Sequence, residues 1–253
     1  MTTGLTQRQL IQDLQALGLP AGAQVLVHSA LSSLGYVAGG ADTVINALLA
    51  TIGAAGTLLA PTLTGSEALS PANPPVFDPA QTPGWTGRIP ETLRQRPQAI
   101  RSLHPTHSVA ALGAQAQALT QDHVDSVTPC DELSPYGRLA QRIDAYILLL
   151  GVDHESNTTF HHIEEIGGAA YHMQPGFAAA QIHLPDKTLT RNILLHAYGT
   201  PRHFMALEPL LIERGIQQTG MVGAATARLI HTRPFVELGL RCLRASPRVL
   251  CAS

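Results

Sequence analysis

The 253-residue chain is 45% hydrophobic and 13% charged, with a formal charge of −2. That is apolar material for one large α/β domain or two small ones, and the composition is not that of a disordered chain. So neutral a balance excludes a protein held to nucleic acid by its phosphates, and no run of roughly 20 apolar residues offers a membrane span.

Residues Thr6 to Leu17 place Leu10, Ile11, Leu14 and Leu17 at helical spacing, and Gly18 to Gly22 ends the pattern. The run Gln24 to His28 reads as a buried strand. It is followed by the Ser/Gly-rich stretch SALSSLGYVAGGAD and a helix over Thr43 to Ile52 with Val44, Leu48 and Leu49 inward. Strand, Ser/Gly loop and helix in this order suit a phosphate, because loop amides and the positive end of the helix dipole both face it. The Gly-Lys-Ser/Thr element of a P-loop is absent. Gly56 to Pro61 supplies the next strand, so a β-α-β unit and a parallel core are expected.

Residues 62–90 are rich in Pro, Ser and Gly, carry the single Trp85 together with Glu67 and Asp78, and read as a long functional loop or lid. A short helix over Pro90 to Arg96, a strand over Ser108 to Leu112, a weak helix over Ala114 to Thr120 and a helix from Tyr136 follow. Beyond residue 170, strands are expected at Phe177 to Ile182 and at Asn192 to Tyr198. A helix is expected at Phe204 to Arg214, and the closing segment is mixed. No linker divides the chain, so one domain over residues 1–253 is expected.

The chemistry concentrates between Asp144 and Ile166. Ala145 to Val152 is an unbroken apolar run of the kind covered on both faces, and Asp153 to Asn157 is a polar turn. Ser156 or Asn157 is placed to cap a helix opening at Thr158. Such a turn lies at the carboxyl end of a sheet, where open α/β folds collect ligands. Helical spacing puts Thr158, His161 and Glu164 or Glu165 on one face and turns Phe160, Ile163 and Gly167 elsewhere. An imidazole backed by a carboxylate one turn away is what a general base needs. The remaining members of the twelve histidines are scattered and read as ordinary surface or core residues. Cys130, Cys242 and Cys251 fit neither a disulfide framework nor zinc spacing, which suits a reducing cytoplasm, and the first residues lack the pattern of a secretory leader.

Six strings in register, VHSALSSLG at Val27, FDPAQTPGWTGRIPE at Phe77, RSLHPTHSVAALG at Arg101, PCDELSPYGRL at Pro129, LLLGVDHESNTTFHHIEE at Leu148 and GMVGAATARLI at Gly220, resemble the aminoglycoside 3-N-acetyltransferases, the antibiotic N-acetyltransferase family. The resemblance runs from about Leu5 to Leu238. It implies a single α/β domain with a largely parallel or mixed central sheet flanked by helices, and transfer of acetyl from acetyl-coenzyme A to the 3-amino group of a 2-deoxystreptamine aminoglycoside. It also implies coenzyme contacts from His28, Ser29, Ser32, Leu34, Gly35, Arg101, Ser108 and Val109.

The Thr-x-x-His-x-x-Glu element of the family falls on Thr158, His161 and Glu164, with His161 as base, Glu164 orienting it and Thr158 or nearby amides serving the oxyanion. His154, at the turn, either touches a substrate or is structural. A cationic acceptor calls for carboxylates, for which Glu67, Asp78, Asp153 and Glu155 are the candidates. The expected partners are this amine and acetyl-coenzyme A, with no metal, nucleic acid or membrane; monomer and homodimer both remain open. Two rival readings are a metal-dependent hydrolase using His154, His161, His162 and Glu164 or Glu165, and a non-catalytic coenzyme A or polyamine binder. Against the first, adjacent His161 and His162 point about 100° apart on a helix.

Overall fold

The computed structural model describes residues 4–252; the few terminal residues of the expected 1–253 domain lie outside that range. Helix α1 (Gln7–Ala16) opens with a capping box in which Thr6 and Gln9 exchange bonds, and it buries Leu10 and Leu14. Strand β1 (Gln24–Ser29), helix α2 (Gly40–Ile52) and strand β2 (Thr57–Pro61) form the expected β-α-β unit, with β1 and β2 parallel. Next come β3 (Val76–Phe77), α3 (Arg88–Arg94), β4 (Ile100–Arg101), β5 (Val109–Gly113), α4 (Ala116–Thr120) and α5 (Pro135–Ala140).

Strand β6 (Ala145–Leu150) leads to α6 (Thr159–Ile166), then β7 (Ala178–His183) and β8 (Thr188–Ile193). The chain closes with α7 (Glu208–Glu213), β9 (Gln217–Val222), β10 (Ala225–His231) and α8 (Thr232–Ala245). Among the described residues no helix is long and apolar enough to cross a membrane.

The main sheet runs β4-β5-β2-β1-β6-β10-β9. Only the β2-β1 and β1-β6 pairings are parallel; β5 and β10 run against these three strands, and the edge strands β4 and β9 turn back against β5 and β10, so the sheet is mixed. Its central strands are buried on both faces, as the apolar run predicts. Leu148 and Leu150 of β6 join the core under α1 and α2, while Ile147 and Leu149 join the core with Phe160, Ile163 and Phe235. Alternation with period two puts successive side chains into different cores.

A second sheet, β3-β7-β8, sits apart from the first, and β3 gives the 62–90 segment a parallel partner in β7. That segment is therefore not free of regular structure. Arg101 holds it further: its guanidinium donates to the carbonyls of Thr62 (3.0 Å), Pro79 (3.0 Å) and Thr82 (2.6 Å) and lies over the Phe77 ring.

Two other expectations are corrected. The strand placed at Asn192 to Tyr198 is β8, ending at Ile193, after which only an isolated bridge from Met173 to His196 remains. The helix placed at Phe204 to Arg214 is a 3-10 turn over Phe204–Leu207 followed by α7, with Pro209 in the first turn of α7, where it needs no donor.

Candidate active site

Parallel pairing aligns the carboxyl ends of the central strands. His28 lies beside Leu149 and Ser29 beside Leu150, so the loops after β1 and β6 leave the sheet together. The Ser33 hydroxyl donates to the Gly151 carbonyl (3.1 Å) and ties them. Gly151 has φ +73°, and a Cβ there would lie 2.6 Å from that of Ser33, so this close approach admits glycine only. Between these loops and the 62–90 segment opens a cleft of about 860 Å³, in the size range of small-molecule sites.

One wall comes from the loop after β1. His28, Ser29, Ser32 and Gly35 line the cleft, joined by Leu31, Tyr36, Val37 and Gly40. Buried His28 Nε2 and Ser29 Oγ have no hydrogen-bond partner, which leaves two polar atoms in this wall for a ligand. Burial, with repulsion from His154 and His161, lowers the His28 pKa to about 3 and keeps its ring neutral. No side chain caps α2, whose first turn at Gly40 reaches the cleft, so its amides suit an anion.

Leu34 is instead in the core, its carbonyl accepting from the Ala224 amide (3.1 Å). Arg101, Ser108 and Val109 are also outside the lining. Arg101 is spent on the 62–90 segment, Ser108 is buried and donates to the Thr62 carbonyl (2.8 Å), and Val109 is fully buried. Burial and nearby Arg94 lower the Arg101 pKa to about 10. From the 62–90 segment the cleft gains Leu63, Trp85, Thr86, Gly87 and Arg88. Of these, only Trp85 drew notice in the sequence, as a lone aromatic.

The opposite wall is the turn into α6. Thr158, which precedes α6, makes no side-chain capping bond; Asn157, one of the two residues the sequence offered, accepts at Oδ1 from the Thr159 amide (3.1 Å) and so satisfies one free donor of the first turn. Glu155, Ser156, Asn157, Thr158 and His161 face the cleft. His161 has 27% of its side chain exposed, and its Nδ1 lies 2.8 Å from Oε2 of Glu164, which is fully buried. A carboxylate only accepts, so this bond places the proton on Nδ1 and the lone pair on Nε2.

Glu164 also receives Arg202 Nε (3.0 Å) and lies 3.0 Å from His172 Nδ1. Burial opposes its ionisation, but the bonds to His161 and His172 outweigh it and hold the carboxyl well below the usual carboxylate range. Glu165, the alternative left open by helical spacing, faces another way. It accepts from the Cys130 amide (2.9 Å) and lies 2.6 Å from His196 Nε2, and burial pushes its pKa up to about 8.

His154 is wholly buried and is not in the cleft lining. Its Nε2 meets Gln217 Oε1 (2.7 Å), and its ring packs on Phe160 and Phe235, so the structural alternative describes its place. His162 donates from Nδ1 to the Cys130 carbonyl (2.6 Å). The ligand set of the metal-hydrolase reading is thus not brought together. Of the acceptor candidates only Glu155 lines the cleft. Glu67 and Asp153 are exposed outside it, and Asp78 accepts from the Ala80 (2.8 Å) and Gln81 (2.9 Å) amides of its own turn. Sequence reading missed His172, His196 and Arg202. His172 follows shortly after α6, whereas His196 and Arg202 reach Glu165 and Glu164 from 31 and 38 residues away; none lies on an element with a period to read.

Fold and cleft together define an α/β enzyme whose site sets an imidazole-carboxylate pair against a loop with unpaired polar atoms. Comparison makes the assignment particular: residues 26–244 match the family model described as aminoglycoside 3-N-acetyltransferase, and the chain belongs to that family. It is 35% identical to aminoglycoside N(3)-acetyltransferase VII of Streptomyces paromomycinus, over 93% of this chain and 90% of that one. Among solved structures, the apoenzyme of aminoglycoside acetyltransferase AAC(3)-IVa superposes with a TM-score of 0.82 at 30% identity, covering 99% of this chain and 92% of that one. AAC-IIIb in a binary complex with CoASH gives 0.80 at 29%, covering 96% and 97%.

Proposed function

We propose that the protein transfers acetyl from acetyl-coenzyme A directly to the 3-amino group of a 2-deoxystreptamine aminoglycoside in a ternary complex, with His161 as general base. The observation that carries this is the 2.8 Å contact of His161 Nδ1 with buried Glu164, set in a cleft wall opposite the loop after β1. An aliphatic amine is largely protonated at neutral pH and attacks a thioester only after losing a proton. One ammonium proton is lost to water to give the free amine, and the Nε2 lone pair of His161 takes a second proton from that nitrogen as it closes on the carbonyl carbon. Glu164, already ionised, keeps the tautomer and stabilises the imidazolium. Carbon-nitrogen bond formation expels the coenzyme thiolate, which leaves with the proton as free thiol. The Thr158 hydroxyl is the proposed donor to the oxyanion, a role commonly worth about 3 kcal/mol.

Relatives support both substrates: AAC-IIIb is solved with CoASH, and a mutant of AAC(3)-IVa in complex with apramycin. The coenzyme falls to the wall of His28, Ser29, Ser32 and Gly35, with α2 amides and Arg88 for its phosphates. The apolar side chains of Leu31, Val37 and Leu63 suit its pantetheine arm. Glu155 is the proposed carboxylate for an acceptor ammonium, and 62–90 is the proposed lid. Three free cysteines and the need for acetyl-coenzyme A favour action in the cytoplasm. The test is a thiol-release assay across aminoglycosides and simple amino sugars, followed by mapping of the acetylated nitrogen. Release with acetylation at the 3-amino group is expected; acetylation elsewhere, or no release with any aminoglycoside, would overturn the acceptor assignment.

A further inference from the structure

Glu164 orients the base, and it is itself held from the far side. Its Oε2 serves the His161 ring at 2.8 Å, while its Oε1 accepts from Arg202 Nε at 3.0 Å. The His172 ring stands between the two ions, with Nδ1 3.0 Å from Glu164 Oε2 and 3.0 Å from Arg202 Nη2. The Arg202 side chain is only 13% exposed. Its guanidinium lies 5.0 Å from the centre of the Tyr171 ring, and Nη1 donates to the Thr200 carbonyl.

The segment that carries Arg202 is braced by the chain after α8. The His203 amide donates to the Leu250 carbonyl (2.9 Å), and the Ala252 amide donates to that of Pro201 (3.0 Å), around a bridge between Arg202 and Cys251. Two residues on, Phe204 stacks on Phe160 of α6 at 4.4 Å and meets the His161 ring edge-on at 5.6 Å. Guanidinium, carboxylate and base therefore belong to one packed unit.

A carboxylate with one oxygen on a guanidinium and the other on an imidazole keeps a single plane, and so holds that imidazole in one orientation. The guanidinium also divides the negative charge. A fixed cation beside an imidazole-carboxylate pair opposes uptake of a proton by the pair, whichever member carries it. The other titratable groups facing the pair are His28 at the end of β1, His107 before β5, Glu165 on α6, Tyr171, His172, and His196 after β8. Burial keeps the four imidazoles neutral and the Tyr171 phenol and most of Glu165 protonated. Among the described residues, Arg202 is the permanent positive charge that touches Glu164.

We propose that Arg202 is the positioning residue of the proton transfer: by binding Glu164 Oε1 it fixes the His161 ring and keeps that ring free to accept a proton at neutral pH. The proposal rests on His161 being the base.

The test follows the imidazole nitrogen resonances of the full chain, labelled in histidine, against pH by NMR. The signals of His161 are those missing from His161→Ala, and turnover is measured at the same pH values. In Arg202→Met the protonation midpoint of the pair should rise by about 1 pH unit or more. Each unit of that rise lowers turnover on the acid side by about tenfold, with partial recovery as pH increases. Arg202→Lys, which keeps the charge, should hold the midpoint near that of the wild type. Arg202→Gln, with a neutral donor in place of the charge, carries the same expectation as Arg202→Met and replaces it if that variant does not fold. An unmoved midpoint with turnover lowered by the same factor at every pH overturns the proposal, as does an equal rise in Arg202→Lys. Normal turnover in His161→Ala overturns the base assignment and this role with it, an outcome told apart because the midpoints still move as expected.

Discussion

The two walls of the cleft are built from different kinds of sequence. The wall proposed for the coenzyme is nearly one stretch, from His28 to Gly40, and its shape comes from local backbone: a β-strand end, a 3-10 turn and the uncapped start of α2. The histidine wall begins locally, with Glu164 three residues after His161. It is then completed by Arg202, 38 residues from Glu164, and by His196, 31 residues from Glu165. A local wall can be changed without disturbing charge. The other wall is a buried network of ions and rings in which removing one member strands the rest.

The largest expected effect follows from that network. Glu164→Gln keeps the shape but removes the charge that fixes the His161 tautomer, and turnover should fall by about 10² to 10⁴. The same change leaves largely buried Arg202 without its partner, so a urea titration should show a loss of roughly 3–5 kcal/mol. A variant that keeps wild-type turnover would sever the wall from the chemistry.

The wall proposed for the coenzyme should respond more mildly. Gly35 has φ +83° and ψ −165°, a region that side chains scarcely enter, yet a Cβ there would find nothing nearer than Ala224 at 3.8 Å. Gly35→Ala therefore strains the loop by about 1–3 kcal/mol without a clash. The KM for acetyl-coenzyme A should rise by about tenfold with kcat little changed, as initial rates at varied coenzyme would report.

The smallest effect lies beneath both walls. Burial lowers the His123 pKa to about 4, with its ring between the Ser102 hydroxyl (2.8 Å) and the Pro129 carbonyl (3.0 Å). A histidine neutral in the fold but free to protonate near pH 6.5 when unfolded gives the unfolded chain the extra proton at low pH. Its contribution is complete above about pH 6.5 and is lost as pH falls towards about 4, at about 1.4 kcal/mol per pH unit. Denaturant titrations between those values should show that slope reduced in His123→Gln; an unchanged slope would mean that this ring is not held neutral.

The same contrast sets what the sequence revealed. The buried run of β6, the Asn157 bond at the start of α6 and the shared face of His161 and Glu164 were legible because strand and helix periods are local. The hairpin of β9 and β10 and the strand β8 were not, since QQTGMV and TLTRNI are half exposed and lack an apolar alternation to announce a strand. Arg101 was assigned to the coenzyme by resemblance; its guanidinium instead meets three backbone carbonyls of the 62–90 segment, partners that no side-chain pattern encodes. The histidines of the second wall read as scattered because they converge only through long-range packing.

The most direct test of the base assignment is to measure turnover and acetyl-coenzyme A affinity side by side in His161→Ala. Loss of the base predicts turnover lower by at least about 10² with the coenzyme dissociation constant nearly unchanged, because the proposed coenzyme contacts lie on the other wall. Turnover close to that of the wild type would contradict it.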